Sequence, residues 1–241
     1  MKFKKALKYL FLLILLSSLT LLYGFSNHRN EIKKIKKVEV EFEAGENNFL
    51  THAMVNKLLI QNNTTVKNQA KSVIDLYRLE KEILKNPYIE KASLFITING
   101  TLNSLIKQRK PIARVVTSSK TYYLDSQGVK MPLSENYSAR VPLITGVKKD
   151  KDLGDVALLL KEILDDDFLR KEIVGIHLNN SKECLLTVRS GNYKIEFGLL
   201  KEIEQKFRKL KAFYNKALSD STIYKYKTIN IKYHNQVVGV K

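Results

Sequence analysis

The chain has 241 residues, 44% of them hydrophobic, and a formal net charge of +18 at pH 7. This length and apolar content suffice for one or two compact domains with their own cores. Glycine (10) and proline (4) are few, and no low-complexity tract is long enough to suggest disorder. The excess of basic residues would favour nucleic acid as a partner only if the folded domains lie in the cytoplasm. The membrane topology of the chain therefore decides whether this interpretation applies.

The first predicted element is an apolar helix. No charged residue occurs in residues 9–25, and with Ala6 and Leu7 the run approaches the roughly 20 residues that cross about 30 Å of hydrocarbon. Four lysines within residues 1–8 precede it, as is typical of a cytoplasmic flank. We therefore predict a cytoplasmic tail (1–8), a transmembrane helix (9–25) and an extracytoplasmic remainder. The residues singled out as membrane anchors are Tyr9, Leu13, Leu16, Leu22 and Tyr23.

A cleaved signal peptide is the alternative for this segment, because it has the same basic and apolar regions. Cleavage requires small residues after the apolar run, whereas Leu22, Tyr23 and Phe25 are bulky, so the uncleaved anchor is favoured. Residues 26–36 are predicted to be a linker. Its lysines put positive charge on the far side of the membrane, where contact with anionic lipid headgroups is open to them. Long domains translocate largely regardless of such charge.

Residues 37–110 are predicted to form a first domain of α+β class. Apolar and acidic residues alternate after Lys37 as in a half-buried strand, Thr51 is a candidate N-cap, and Asn99-Gly100 is a strong hairpin turn. The predicted order is strand, helix, helix, strand, strand, over residues 38–43, 49–60, 70–84, 92–98 and 102–108.

Residues 111–241 are predicted to form a second α+β domain built on an antiparallel sheet. Its clearest element is an amphipathic helix over residues 199–217, and a second helix is predicted over residues 153–169. The predicted strands cover residues 112–116, 122–124, 129–133, 173–178, 184–189, 193–197, 228–233 and 237–240, and residues 141–146 precede a charged loop.

The sequence contains no recognisable catalytic set. The four histidines are scattered without metal-ligand spacing, and residues 165–167, three consecutive aspartates, lack the spaced ligands and glycine of a calcium loop. We interpret these aspartates as an exposed helix end. Cys184, the one cysteine of the sequence, is predicted to be a small buried apolar residue. We therefore predict a binding protein that is not an enzyme, with no cofactor, metal or small-molecule substrate. Lysines are spread among glutamates, and nucleic acid is not expected outside the membrane.

The motifs and their order resemble the FtsQ/DivIB family of bitopic cell-division proteins, which have a short cytoplasmic tail, one transmembrane helix, a POTRA domain and a β-domain. The predicted order of the first domain is the POTRA order. Gln108-Arg109-Lys110-Pro111-Ile112-Ala113 resembles the family signature Glu-Arg-x-Pro-x-Ala, with Gln108 in place of the usual acid. The other similar segments are residues 79–92, the strand and turn of residues 123–129 ending in Gly128-Val129, the Leu-Pro-x-x-x-Gly-like residues 141–146 ending in Gly146, residues 197–200 and residues 229–233.

This resemblance implies a divisome scaffold in the cell inner membrane, enriched at the division septum, that links early and late division proteins by binding FtsB- and FtsL-type partners. In the family a partner adds a strand to an open sheet edge of the β-domain. The implied partner contacts are Tyr233, Val237, Val238 and Gly239, with Lys182 near a family basic position; alternatively, Tyr233 and Val238 only fill the domain core. The other function classes left open are a POTRA-containing secretion or outer-membrane assembly component, a secreted hydrolase, and a secreted non-catalytic binding protein.

Overall fold

A computed structural model describes residues 2–45, 48–61 and 64–241 of the chain. The chain divides into two compact units between Gln108 and Arg109. The first unit begins with helix α1 (Lys2–Glu31), whose apolar side chains from Leu7 onward are exposed. Within the described residues, α1 is the one helix long and apolar enough to cross a membrane. It continues through residues 26–31, which were predicted to lie in the linker, because no glycine or proline interrupts the helix after Gly24.

The rest of the first unit follows the predicted order of strand, helix, helix, strand, strand, which confirms the fold class. Its three-stranded sheet has the order β1-β5-β4, with β1 parallel and β4 antiparallel to β5. Two very short strands pair as an additional hairpin after the first of these helices. The elements are β1 (Lys37–Phe42), α2 (His52–Leu58), β2 (Ile60–Gln61), β3 (Thr64–Thr65), a 3₁₀ turn (Lys71–Val73), α3 (Leu76–Leu84), β4 (Ile89–Ile96) and β5 (Thr101–Gln108).

Local side-chain caps set where the helices of the first unit begin. Thr51, the predicted N-cap, accepts a hydrogen bond from the Met54 amide at 3.3 Å. The second helix begins six residues later than Ala70, where it was predicted to start, because Asp75 accepts from the Arg78 amide at 2.9 Å and caps it there.

The second unit is built on one nine-stranded sheet with the order β14-β13-β12-β11-β10-β9-β6-β7-β8. Buried residues of its strands and helices form a single hydrophobic core. The elements are β6 (Pro111–Val116), β7 (Thr121–Asp125), β8 (Lys130–Met131), β9 (Leu143–Thr145), α4 (Asp150–Asp165), α5 (Asp167–Glu172), β10 (Ile173–Leu178), β11 (Cys184–Val188), β12 (Lys194–Gly198), α6 (Ile203–Ser219), a 3₁₀ turn (Thr222–Lys225), β13 (Thr228–Asn230) and β14 (Val238–Val240).

The prediction of an antiparallel sheet in this unit is wrong in detail, because the sheet is mixed. Strand β9 runs parallel to both β6 and β10, and β12 runs parallel to β13. Parallel neighbours need a crossover connection, usually helical. Helices α4 and α5 supply it between β9 and β10, and α6 supplies it between β12 and β13.

The helix predicted over residues 153–169 is two helices, and the three aspartates between them are not a merely exposed helix end. Asp166 accepts hydrogen bonds from the amides of Phe168 and Leu169 at 3.0 and 2.9 Å and so caps α5. Its carboxylate also pairs with Lys211 of α6 at 2.6 Å. This hydrogen bond from Lys211 is the main reason that the pKa of Asp166 is lowered.

Cys184 is buried, as its apolar sequence context predicted. Burial raises the pKa of its thiol to about 12. Because the thiolate is the reactive form, this cysteine is chemically inert in the folded protein.

Candidate protein-binding edge of the second domain

Strand β14 forms one edge of the nine-stranded sheet. It pairs antiparallel with β13, with Asn230 opposite Val238 and Thr228 opposite Val240. Among residues 2–45, 48–61 and 64–241, no strand pairs with its outer side. An edge strand presents a row of backbone N–H and C=O groups that another chain can pair with. The side chains of Val238 and Val240 are 37% and 50% exposed, so this edge is apolar as well as open.

The loop between β13 and β14 is held by side chains from other elements. Asn230 accepts from the Lys232 amide at 2.9 Å and donates to Glu196 of β12 at 2.8 Å. Lys209 of α6 donates to the carbonyl oxygens of Tyr233 and, at 2.9 Å, of His234. These contacts fix the loop backbone, and the Tyr233 ring next to the edge is left half exposed.

Two of the predicted contact residues serve the domain itself. Val237 is partly buried and packs against the main core. Gly239 lies against the Tyr226 ring, where an added Cβ would come within 2.4 Å of a ring carbon. The Tyr226 ring in turn packs against Phe213, with ring centroids 5.5 Å apart. Of the four residues predicted at the end of the chain, Tyr233 and Val238 are therefore the ones whose side chains a partner could reach.

Lys182 does not lie on this edge. It sits in the turn between β10 and β11, and the sheet order places β12 and β13 between β11 and β14. Its ammonium group pairs with Asp152 at 3.1 Å, and the hydrogen bond from Lys182 is the main cause of the lowered pKa of Asp152. Both side chains line a cleft of about 350 Å³ that also includes Gly146 and Leu199. Lys182 and the edge are thus two separate features of the same domain.

The described residues bring no metal-binding group together. No cluster of three or more histidine, cysteine, aspartate or glutamate side chains occurs among them in a geometry that could hold an ion. His177 contacts the Thr145 hydroxyl at 2.8 Å, and His234 lies 3.4 Å from Glu202.

The predicted membrane anchors all lie on α1 with exposed side chains. Tyr9 and Tyr23, near the two ends of the apolar run, are 72% and 75% exposed. Aromatic residues at such positions suit the two interfaces of a bilayer. The exposed leucines between them are Leu13, Leu16 and Leu22.

Several residues that shape the edge were not found from the sequence. Lys209 and Glu196, which hold the loop, and Tyr226, which supports Gly239, are far from the loop or the strand in sequence. No local signal marks them, because Lys209 lies in a helix rich in exposed lysines and Glu196 in a strand with ordinary alternation.

Comparisons with known proteins identify both units. The family model "FtsQ/DivIB, C-terminal related" matches residues 110–240, and the "POTRA-like domain" model matches residues 33–107. The cell division protein FtsQ of Geotalea daltonii is 25% identical over 178 residues, which cover 69% of this chain and 63% of that protein. The chain thus spans less than two thirds of that relative. A solved structure, the major extracytoplasmic domain of the trans isomer of the cell division protein DivIB from Geobacillus stearothermophilus, is 15% identical, with a TM-score of 0.34, covering 48% of this chain and 97% of that one.

Proposed function

This chain belongs to the FtsQ/DivIB family, and we propose that it is a single-pass membrane scaffold of the cell-division machinery that acts by binding other membrane division proteins. In this proposal α1 crosses the inner membrane with its first residues in the cytoplasm, and both domains lie outside. The partners are FtsB- and FtsL-type proteins, which the scaffold connects to the rest of the machinery at the septum. The observation that supports this best is the open, apolar β14 edge in the domain that the family model covers.

The edge offers a mechanism for this binding. A partner segment in extended conformation adds a strand beside β14, and its main chain supplies most of the hydrogen bonds. Val238 and Val240 flank the added strand, and the exposed Tyr233 ring provides an aromatic contact next to it. The membrane tether contributes as well, because partners that cross the same bilayer meet the edge at a raised effective concentration.

A fluorescent fusion to the chain should concentrate at the septum of dividing cells. This follows from the proposed role, because a scaffold of this kind is recruited by proteins already assembled there. Fluorescence imaging of cells expressing the fusion as their sole copy measures the ratio of septal to lateral signal. An even distribution along the membrane would contradict the division role and favour a secretion component, and release into the medium would favour a secreted protein.

Proline at Val238 or Val240 should reduce recovery of the bound division proteins by tenfold or more, as measured by quantitative mass spectrometry of complexes purified from membranes. The backbone amides of Val238 and Val240 face β13. Their partners in β13 face β14, because the Lys227 carbonyl and the Ile231 amide next to those partners bond to β12. Proline at either position therefore detaches β14 from β13 and removes the regular edge that a partner strand would join. A tenfold loss corresponds to about 1.4 kcal/mol, of the order of one or two lost backbone hydrogen bonds. Tyr233→Glu should act in the same direction by removing the aromatic contact.

The matched control is Leu158→Glu, since Leu158 is a 62% exposed apolar residue on α4 rather than on the sheet edge. This variant should retain its partners. Circular dichroism of each variant checks that the domain is folded. If the folded proline variants retain their partners in full, β14 is not the binding edge.

A further inference from the structure

One end of the first unit gathers apolar and basic side chains next to the end of α1. Three chain segments meet there, and we call this end the tip. The amide of Lys71 donates to the Lys33 carbonyl at 3.0 Å, and the amide of Lys36 donates to the Gly100 carbonyl at 2.8 Å. The tip therefore contains the start of the domain, the 3₁₀ turn and the β4–β5 hairpin turn. Its residues used below are Ile32, Lys34, Lys36, Lys71, Val73 and Ile98.

The Lys71 side chain ties this end of the domain to α1. Its ammonium group donates to the Asn30 side-chain oxygen at 3.0 Å and to the Ile98 carbonyl at 3.4 Å. Burial, and to a smaller extent the neighbouring Lys33, lowers the pKa of Lys71. Because Asn30 lies in the last turn of α1, the position of the tip along the helix axis is set by these bonds.

The length of α1 places the tip at the outer surface of the lipid headgroups. The helix runs on through residues 26–31 after Phe25, the last residue of the apolar run. At 1.5 Å per residue, this extension is about 9 Å long. The headgroup region on each side of a bilayer is roughly 5–7 Å thick. A helix that keeps its apolar run in the hydrocarbon core therefore delivers Ile32 and the residues bonded around it to the outer surface of the headgroups.

The side chains at the tip have the composition of a membrane-contacting surface. Ile98, in the hairpin turn, is 81% exposed, Val73 is 60% exposed and Ile32 is 56% exposed. Lys34 and Lys36 are exposed beside them. Of the nearby acids, Glu39 pairs with Lys37 at 2.5 Å, and the remaining two, Glu31 and Asp75, are fewer than the lysines of this end of the domain.

We infer that the tip is a lipid-binding surface: Ile98, Val73 and Ile32 insert at the headgroup boundary, and Lys34 and Lys36 bind the phosphates of anionic phospholipids. Apolar side chains flanked by lysines bind anionic interfaces through both burial and charge. The consequence is that the first domain is held against the membrane in one orientation instead of moving freely on its tether. The inference rests on the proposed membrane span of α1 and is independent of the division role.

The test uses the full chain in lipid nanodiscs, with Ile98→Cys labelled by a small fluorophore and with spin-labelled lipids as quenchers. Cys184 is buried, so a thiol reagent modifies the introduced cysteine selectively. The matched control is Leu84→Cys, an exposed leucine just before β4. Strand β4 has eight residues, and at about 3.3 Å per residue it separates this control from the tip by roughly 25 Å.

In discs containing anionic phospholipid, headgroup-labelled quenchers should reduce the fluorescence at Ile98→Cys several-fold more than at Leu84→Cys. In purely zwitterionic discs, or with Lys34→Gln and Lys36→Gln together, the quenching at Ile98→Cys should fall by at least half. Equal quenching at both sites would overturn the inference. Quenching at Ile98→Cys that is unchanged in zwitterionic discs and in the double lysine variant would also overturn it, because the proximity of the tip to the membrane would then explain the signal without lipid binding. Failure of the chain to enter discs would overturn both this inference and the membrane span, whereas entry without quenching would overturn this inference alone.

Discussion

Gly146→Ala should unfold the second domain or destabilise it by about 4 kcal/mol or more, which is at the extreme of single substitutions. Gly146 follows β9 at φ +80°, and a Cβ built there would lie 1.9 Å from the backbone carbonyl oxygen of Leu178. A flexible side chain could move away, but Leu178 ends β10, the parallel neighbour of β9 in the middle of the sheet. Relief would require these two strands to separate, with loss of core packing.

Gly128→Ala is the matched control for this prediction. Gly128 has almost the same backbone conformation, φ +79°, but an added Cβ would meet nothing within 4 Å. The substitution should therefore cost only about 1–2 kcal/mol, the strain of a left-handed alanine. Thermal unfolding should show a drop on the order of 15 °C for Gly146→Ala and a drop of a few degrees for Gly128→Ala. Hydrogen exchange of β9 and β10 peptides assigns the transition to the second domain. Equal losses in the two variants would show that backbone strain alone, and not the contact with Leu178, makes Gly146 necessary.

Gln108→Leu should destabilise the first domain by about 3 kcal/mol or more, although leucine has a similar volume. Gln108 ends β5 and is 2% exposed. Its side-chain oxygen accepts from the amides of Phe49 and Leu50 at 3.1 and 3.0 Å, and its side-chain nitrogen donates to the Leu50 carbonyl at 3.0 Å. Leucine would leave three buried backbone groups without these partners, and each such loss costs about 1–3 kcal/mol.

Gln108→Glu is the matched comparison for this prediction. The protonated acid keeps the acceptor for the Phe49 and Leu50 amides and can donate its hydroxyl to the Leu50 carbonyl, so at acidic pH it should cost less than leucine. An ionised carboxylate would instead bury a charge and set a second oxygen against that carbonyl. The family signature that this segment resembles usually has glutamate where this chain has Gln108. Both side chains have an oxygen that can accept from the Phe49 and Leu50 amides, which explains why either can occupy this position. Urea unfolding at acidic pH, followed by hydrogen exchange of peptides containing Phe49 and Leu50, measures both variants. A leucine variant as stable as the glutamate variant would show that the acceptor oxygen contributes little.

Much of the fold was predictable from the sequence because its signals are local. Strand β10 has the predicted bounds, Thr51 caps α2, and the chain turns tightly at Gly100, whose φ is +88°. In each case the information lies within a few residues: apolar alternation, a capping hydroxyl, or a glycine where the backbone is left-handed. These signals suffice for the order of the main elements of the first domain and for most elements of the second.

Some errors missed a local cap, such as Asp75 before α3, and others occurred where a distant residue contributes to the structure. Asp166 divides a predicted single helix in two, and its ion pair with Lys211 joins α5 to a helix much later in the chain. Glu172, which is 8% exposed, accepts hydrogen bonds from the hydroxyls of Ser190, Tyr193 and Tyr214 in the interior of the second domain. Such partners cannot be predicted from the residue type at one position, because the two residues become neighbours only when the chain has folded.

For the candidate binding edge, the residue types indicated the end of the chain as the region of interest, and the fold determined which of its residues pack in the domain and which are exposed. The β-prone end of the chain, with Tyr233 and Val238, indicated a strand and an aromatic contact. The sheet order makes β14 an edge strand, and the Tyr226 ring packs against Gly239. Lys182 lies away from this edge, in the β10–β11 turn, where it pairs with Asp152.

By itself, the sequence determined the apolar helix, the succession of strands and helices, and the buried face of most of them, because hydrophobic periodicity and turn chemistry act between near neighbours. Only the tertiary structure decided which strand is left open, which buried polar groups satisfy one another, and which lysines gather beside the end of α1. Those features depend on strand order and on contacts between segments far apart in the chain. Such contacts are set by the closure of each domain around its core.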